Sequence, residues 1–304
     1  MTLVWIGGII VGMALAVWSS RLALDAATEL GAAVGLSPFI IGVTIVAVGT
    51  DLPEIANSLV ASASGHGDLN VGDSIGSVVT QATLVLGILC LSGKMISTRN
   101  FVVTVGALTV LALLLGAAFV SDQQFSRTDG ALLIALWLAG TFIIQRPEPI
   151  LEREETTRTS RRLVWRTLIF LVLVGLGAAI AVESFTSATS ELGLPEYLMS
   201  FFVLALGTSL PELVVDARAL RRGQGELAMG DILGSSFVDA TLSPGIGPLL
   251  FPTALSSGLA RGSIVAAVVV AIVTVLLARD GRQRWPVGVA LILLYLLLYP
   301  ALIP

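Results

Sequence analysis

Long apolar stretches separated by short polar loops dominate the pattern of hydrophobic and polar residues along the chain. A transmembrane helix needs about 20 mostly apolar residues, and ten stretches come close to that length. They cover residues 2–30, 37–63, 70–92, 101–120, 129–145, 163–188, 196–220, 227–251, 262–279 and 285–303. The pattern therefore predicts an all-α, polytopic membrane protein with ten transmembrane helices.

One long polar segment, residues 146–162, interrupts this pattern near the middle of the chain. It is rich in Glu and Arg, which are costly inside a bilayer, so we interpret it as a solvated cytoplasmic linker. The linker separates a first five-helix repeat, residues 1–145, from a second five-helix repeat, residues 163–304.

The composition indicates that lipid is the main solvent, and it argues against several classes of protein. Charged residues make up 12% of the chain and the mean hydropathy is +0.94, whereas a typical soluble domain has about 25% charged residues. The single cysteine, Cys90, excludes a disulfide framework within the chain and a Cys-rich metal site. No basic patch is interspersed with aromatic residues, which argues against binding of nucleic acid.

Lys and Arg are distributed unequally between the loops on the two sides of the predicted bundle. With the N-terminus outside, 14 of the 17 Lys and Arg residues fall in or beside cytoplasmic loops, and the outer loops carry only Arg127 and Arg261. Cytoplasmic loops of membrane proteins carry an excess of these residues. We therefore predict a multi-pass protein of the cell membrane with both termini on the extracytoplasmic side.

Two hexapeptides recur together at a spacing of 158 residues, without a gap. GTDLPE at 49–54 and GDSIGS at 72–77 recur as GTSLPE at 207–212 and GDILGS at 230–235. Because each repeat has five helices, an odd number, the second copy crosses the membrane in the opposite sense. Inverted repeats with helices broken by Gly or Pro at equivalent places are typical of a transporter with its site near the midplane.

Each repeat places a glutamate, Glu54 or Glu212, within an apolar helix. An ionised side chain there costs roughly 2.5–3.5 kcal/mol on insertion scales, and a bound cation would offset that cost. The alternative is a protonated Glu that bonds a neighbouring helix, which explains one such residue better than two. The proline directly before each glutamate leaves the carbonyl four residues earlier without its helical donor, and such carbonyls can line a cavity and bind hard cations.

Helical spacing gathers further oxygen atoms on the faces that carry these glutamates, because residues three or four apart share a face. The polar residues at this spacing are Thr50, Asp51, Glu54, Asp73, Ser77 and Gln81 in the first repeat and Thr208, Glu212, Asp231, Ser235 and Asp239 in the second. Carboxylates, hydroxyls and carbonyls together suit Ca²⁺. A single histidine, His66, argues against zinc or copper.

GTxLPE followed by GxxxGS, present twice, resembles the two α-repeats of the calcium/cation antiporter superfamily, whose best-known members are the sodium/calcium exchangers. The resemblance covers about residues 40–92 and 198–250. It implies a core of four helices, the second, third, seventh and eighth, and alternating access by sliding of the first and sixth helices past that core.

The resemblance also implies a set of ion ligands. They are Thr50, Glu54 and Ser77 in the first repeat, Thr208, Ser209, Glu212, Ser235 and Asp239 in the second, and the backbone carbonyls near Ala47 and Ala205. The chain departs from the family pattern at Asp51, where Ser is usual, and at Gln81, where Asn is usual, and both would lie in the ion site.

Asp51 and two further departures leave alternatives open. Asp51 could instead bond a backbone N–H at the helix break. Asp73 and Asp231 replace a more usual Asn, and we expect them near helix starts, where an Asp can act as a cap away from the ions.

The leading functional prediction is a cation antiporter that exchanges Ca²⁺ for Na⁺. Close alternatives are Ca²⁺/H⁺ exchange, K⁺-dependent Na⁺/Ca²⁺ exchange and exchange of another divalent such as Mg²⁺, and a passive cation channel is the alternative from a different class. We expect inorganic cations and the lipid bilayer as partners, no nucleic acid and no cofactor. No HExxH motif occurs in the sequence, and the paired glutamates have no accompanying histidine, which argues against an enzyme.

The predicted topology places residues 2 and 157 on opposite sides of the membrane. In a Cys90→Ala background, Thr2→Cys should react with an impermeant maleimide on intact cells, and Thr157→Cys should react only after permeabilisation. Labelling of both positions from the same face would exclude the inverted arrangement.

Overall fold

The computed structural model describes residues 2–33, 47–96, 99–144, 161–255, 258–279 and 283–302, and nearly all of them are helical. The helices are α1 (Thr2–Ala33), α2 (Ala47–Thr50), α3 (Leu52–Ala63), α4 (Gly67–Thr80), α5 (Leu86–Leu91), α6 (Arg99–Phe119), α7 (Arg127–Ile144), α8 (Arg161–Leu192), α9 (Glu196–Met199), α10 (Ala205–Thr208), α11 (Leu210–Arg221), α12 (Gly225–Ala240), α13 (Leu242–Leu250), α14 (Leu259–Ala278) and α15 (Trp285–Leu302). One π-helical turn, Gln81–Val85, joins α4 to α5, and another, Ser200–Leu204, joins α9 to α10.

Each of the ten predicted segments contains helix within the described residues. Seven of the described spans are long and apolar enough to cross a bilayer, and they correspond to the first, the third to seventh and the ninth predicted segments. The second segment begins outside the described residues and is broken at Asp51, and the eighth is broken at Thr241. In α15 the apolar stretch is shorter, Trp285–Leu298.

The long helices α1 and α8, from the first and sixth predicted segments, pack backbone against backbone. A Cβ added to Gly12 would meet the backbone of Gly177 and Ala181, and a Cβ added to Gly177 would meet the backbone of Gly12 and Ala16. Small residues four apart allow this close approach in membrane helices. The two helices therefore form a tight pair.

The centre of the bundle is built from α4 and α12, which are the most completely buried helices described. Every residue of α4 is buried, and α12 is buried from Ala228 to its end. A Cβ added to Gly76 of α4 would meet the Phe201 carbonyl and the Ala205 side chain, so α4 lies directly against the span that carries α10. Polar residues on α4 and α12 are thereby enclosed by protein.

A short β-pair ties the two halves of the chain together at one end of the bundle. Strand β1 (Gln124–Phe125), before α7, pairs antiparallel with β2 (Thr253–Ala254), after α13. Gly67, the first residue of α4, lies against the Ala254 carbonyl. The start of α4 is therefore fixed by this pair.

The predicted linker, residues 146–162, lies outside the described residues except for Arg161 and Arg162, which begin α8. The boundaries of the two five-helix repeats and the orientation of the termini stay predictions.

Candidate cation site

The helices that carry the two glutamates break at equivalent positions. Helices α2 and α3 meet at Asp51 (φ −80°, ψ 7°), and α10 and α11 meet at Ser209 (φ −78°, ψ 8°). In both cases Leu-Pro-Glu begins the next helix, since proline is tolerated in the first turn of a helix but not in its interior. Glu54 and Glu212 therefore lie in the first turns of α3 and α11.

The carbonyls of Ala47 and Ala205, two predicted ion ligands, close the turn before each break. Each accepts a hydrogen bond from the backbone N–H of the break residue and lies within hydrogen-bonding distance of the threonine hydroxyl before it. The distances are 3.1 and 3.1 Å at Ala47, and 3.1 and 3.2 Å at Ala205. A hydroxyl has one hydrogen to donate, so when it turns to the aspartate of the other repeat, one lone pair of the carbonyl is free for an ion.

Four carboxyl groups from both repeats meet at the breaks. Asp51, Glu54 and Asp239 each place an oxygen within 4.8 Å of the others, and none of the three is more than 1% exposed. Glu212 is fully buried and comes within hydrogen-bonding reach of Asp51 across the boundary between the repeats. We call these four residues the carboxylate cage.

The cage holds more acceptor atoms than the surrounding protein satisfies. Both carboxylate oxygens of Glu54, both of Glu212 and Oδ2 of Asp51 are buried with no donor in hydrogen-bond geometry among the described residues, and the Ser209 hydroxyl beside them also has no partner there. No described Lys, Arg or His forms an ion pair with a cage carboxylate. Buried charges need a compensating charge, and a set of donors made only of oxygen suits a hard cation such as Ca²⁺.

Gln81 links two of the cage carboxylates. Its Nε2 donates to Asp239 Oδ2 at 2.9 Å and to Asp51 Oδ1 at 3.4 Å, and its Oε1 accepts from the Ser236 hydroxyl at 3.4 Å. The Ser243 hydroxyl donates to Asp239 Oδ1 at 2.9 Å. Gln81 therefore presents its amide nitrogen to the cage and holds two carboxylates in place, while its role as an ion ligand stays a prediction.

Asp51 points into the cage and not back onto its own helix. The side chain makes no capping hydrogen bond at the start of α3, and its Oδ1 accepts from Gln81 instead. This arrangement excludes the alternative in which Asp51 bonds a backbone N–H at the break.

The predicted hydroxyl ligands form matching networks on the two sides of the cage, in which each threonine reaches a serine and an aspartate of the other repeat. The contacts are Thr50 to Ser235 at 3.2 Å and to Asp231 at 3.5 Å, and Thr208 to Ser77 at 3.4 Å and to Asp73 at 3.2 Å. These four hydroxyls therefore form two pairs that each join the two repeats, and their role as ion ligands stays a prediction.

The expectation that Asp73 and Asp231 cap helix starts is wrong. Helices α4 and α12 begin at Gly67 and Gly225, so both aspartates lie about two turns inside their helices, and both are buried. Helix α4 begins earlier than the apolar pattern indicates because protein, rather than lipid, covers its first turn.

Two functional candidates near the cage were missed in the sequence. Asn57 Nδ2 donates to Asp73 Oδ2 at 3.0 Å, and Asp216 is fully buried four residues after Glu212. The spacing of four that groups Thr50 with Glu54 also groups Glu212 with Asp216 and could have found it. Asn57 lies three residues after Glu54 and could have been found by the same rule, whereas its partner Asp73, on the next helix, could not.

Comparison with known proteins gives consistent matches over nearly the whole chain. The family model described as sodium/calcium exchanger protein matches residues 4–145 and 162–301. The putative antiporter CaxA of Alkalimonas amylolytica is 28% identical over 289 residues, which cover 91% of this chain and 90% of that protein. The sodium/calcium exchanger MaX1 of Methanosarcina acetivorans is 29% identical over 292 residues, which cover 82% of this chain and 83% of that protein.

The fold also matches solved structures. The sodium-calcium exchanger NCX_Mj, soaked with 10 mM Na⁺ and zero Ca²⁺, superimposes with a TM-score of 0.70 at 23% sequence identity over 100% of both chains. At this identity the likeness shows the fold, and it confirms the predicted class of an all-α, polytopic membrane protein.

Replacement of either cage glutamate by glutamine tests the site. Glu54→Gln or Glu212→Gln removes one negative charge and nearly keeps the shape of the side chain. We expect cation transport by the purified protein in liposomes to fall at least about 10- to 100-fold, the loss seen when only a supporting residue of a metal site is removed.

Glu226→Gln is the charge-matched control, because Glu226 is exposed at the start of α12, and it should transport at the wild-type rate. Size-exclusion profiles should be the same for all variants. Transport near the wild-type rate by both cage variants would show that ions bind elsewhere.

Proposed function

The chain belongs to the sodium/calcium exchanger protein family, and from this premise we propose that it exchanges Ca²⁺ for Na⁺ across the cell membrane by alternating access. Membership of the family makes the chain a membrane transporter, a cation antiporter, and not an enzyme. The identity of the coupled ions and the residues that bind them are the proposal.

The carboxylate cage is the single observation that carries this proposal. Asp51, Glu54 and Asp239 converge within 4.8 Å, Glu212 lies beside them, and Glu54 and Glu212 have no donor for any of their carboxylate oxygens among the described residues. Ca²⁺ and Na⁺ would compete for the same oxygens. Exchange at one site requires such competition, because the outgoing ion must leave before the incoming ion binds.

The charge of the cage also supports a coupled cycle. Four like charges this close in a low-dielectric site cannot all be ionised unless cations neutralise them. One Ca²⁺ leaves two negative charges, so the loaded cage should retain at least one proton or additional cation. Several Na⁺ ions could replace Ca²⁺ without a large change in net charge.

Packing beside the cage supports a moving α1–α8 pair. A small cavity of about 10 Å³ lies between this pair and the broken helices, and Met13, Ala178, Asn57 and Thr208 are among the residues that line it. The cavity leaves space next to the predicted ligand Thr208. Sliding of the tight pair past α4 and α12 would open or close that space without disturbing the cage.

A passive channel is the alternative of a different class. The cage carboxylates are almost completely buried, whereas a conducting channel needs a continuous wet pore. Burial therefore favours a carrier, in which ions are enclosed before release on the other side.

Ion flux in liposomes tests the proposal. The purified protein should take up ⁴⁵Ca²⁺ when an outward Na⁺ gradient is imposed, and uptake should saturate with Ca²⁺. If only a K⁺ gradient or a pH gradient drove uptake, K⁺ or H⁺ would be the coupling ion instead of Na⁺. A preference for Mg²⁺ over Ca²⁺ would identify Mg²⁺ as the transported divalent ion. Flux without any counter-ion would show a channel.

Asp51→Ser tests whether the additional carboxylate takes part in coupling. The change restores the residue usual in the family and lowers the charge that cations and protons must neutralise. We expect ⁴⁵Ca²⁺ uptake to depend less on pH than in the wild type, and the charge moved per Ca²⁺ to change.

Asp122→Ser is the control, because Asp122 is exposed in the loop before β1, and it should keep the wild-type pH profile. An unchanged pH profile and an unchanged ion ratio in Asp51→Ser would place Asp51 outside the transport chemistry.

A further inference from the structure

The equivalent aspartates of the two repeats, Asp73 and Asp231, have different surroundings. Asp73 accepts from Asn57 Nδ2 at 3.0 Å through one oxygen and from Thr208 Oγ1 at 3.2 Å through the other. Both of its oxygens are therefore satisfied by neutral donors, and Asp73 needs no ion.

Asp231 has an equivalent of only one of these two donors. Its Oδ1 accepts from Thr50 at 3.5 Å, and its Oδ2 is buried with no donor among the described residues. The residue 158 positions after Asn57 is Val215, whose side chain cannot donate a hydrogen bond. The second repeat has therefore lost the amide that satisfies the aspartate in the first.

A second carboxylate takes the place of that amide. Asp216 lies within hydrogen-bonding reach of Asp231, is fully buried, and has no donor for either oxygen among the described residues. Its counterpart in the first repeat is Ser58, which accepts a hydrogen bond from the Gly247 backbone N–H at 3.2 Å. A satisfied hydroxyl in one repeat thus corresponds to an unsatisfied carboxylate in the other.

Two carboxylates that face each other in a buried site require a positive charge between them. Both groups only accept hydrogen bonds when ionised, and their repulsion is weakly screened inside protein. Among the described residues no basic side chain pairs with either one, and the nearest in sequence, Arg218, is exposed. The compensating charge must therefore come from solution.

We propose that Asp216 and Asp231 bind a monovalent metal cation at a second site, beside the carboxylate cage and distinct from it. A divalent cation is disfavoured because Ca²⁺ takes six to eight oxygen ligands and Mg²⁺ an octahedron, whereas this pair and the Thr50 hydroxyl offer few. Asp216 lies four residues beyond Glu212, which is about 6 Å along the helix axis. At that distance a cation in the second site repels a divalent ion in the cage, so binding at the second site is coupled to exchange.

This proposal rests on the proposed function only for its place in the cycle, and equilibrium binding tests it separately. The count of ²²Na⁺ ions bound per chain is measured on the purified full-length protein in detergent, with ⁸⁶Rb⁺ in a parallel series to test for a K⁺-like ion. Wild type should bind about one more monovalent ion than Asp216→Asn, because the introduced amide can satisfy Asp231 as Asn57 satisfies Asp73.

A double variant provides a second measurement if Asp216→Asn fails to fold. Val215→Asn with Asp216→Ser copies the first repeat, and it should also bind about one monovalent ion fewer, since it replaces the unsatisfied pair with neutral donors. Asp122→Asn is the control and should leave the count unchanged, since Asp122 is exposed and lies outside both sites. In liposomes, the rate of Ca²⁺ uptake should depend less steeply on the Na⁺ concentration in the two Asp216 variants than in the wild type.

Two results would overturn the proposal. An unchanged count of bound ions in both Asp216 variants would show that the pair binds no metal cation. If the count were unchanged and the variants released one proton fewer per chain than the wild type, measured in a weakly buffered solution, the pair would share a proton instead of binding a metal cation. If wild type failed to transport Ca²⁺ but the count still fell in the variants, the second site would stand and the proposed exchange would not.

Discussion

Buried carboxylates without basic partners impose the constraint on which the rest of this structure depends. The cage places four acidic groups together in the protein interior, and no described Lys, Arg or His compensates them. A membrane protein can keep such charges only where protein encloses them and ions from solution neutralise them. This explains why α4 and α12 are buried along nearly their whole length, with α1 and α8 beside them. It also explains why the broken helices meet at the cage, since the breaks bring Glu54 and Glu212 together from opposite repeats.

The motifs that the two repeats share give them the same helix breaks, and the positions at which the repeats differ determine the side-chain chemistry of the cage. Gln81 and Asp239 occupy equivalent positions 158 residues apart, and they meet in a hydrogen bond of 2.9 Å. Two aspartates there would repel each other, whereas an amide and a carboxylate attract. The same reasoning applies at the breaks, where Asp51 in one repeat corresponds to Ser209 in the other. The shared residues build the cage, and the unshared ones decide how much charge it holds.

Much of this arrangement could be predicted from the sequence because its determinants are local. Apolar length indicates the spans, and Pro53 and Pro211 indicate the breaks, which lie two residues before each proline. Contacts between helices could not be predicted in the same way. Asp73 was expected to cap a helix because the apolar pattern begins near it, yet α4 begins earlier at Gly67 under a cover of protein that hydropathy does not register. The break at Thr241 was missed, although Pro244 lies three residues beyond it in the first turn of α13.

The inverted repeats also make the two sides of the cage chemically different. Helices α3 and α11 both lead away from the cage, and inversion directs them toward opposite membrane surfaces. Four residues beyond the glutamate on α3, Ser58 is satisfied by a backbone N–H, whereas the equivalent Asp216 on α11 is an unsatisfied carboxylate. In the proposed cycle, a cation that leaves along α11 would pass a negative charge that a cation leaving along α3 would not meet. The affinities on the two sides would then differ even though the backbones match. The direction of exchange follows from the ion gradients, but the concentration range in which each side works depends on this asymmetry. Residues that break the repeat, rather than the motifs that define it, should therefore distinguish this exchanger from its relatives.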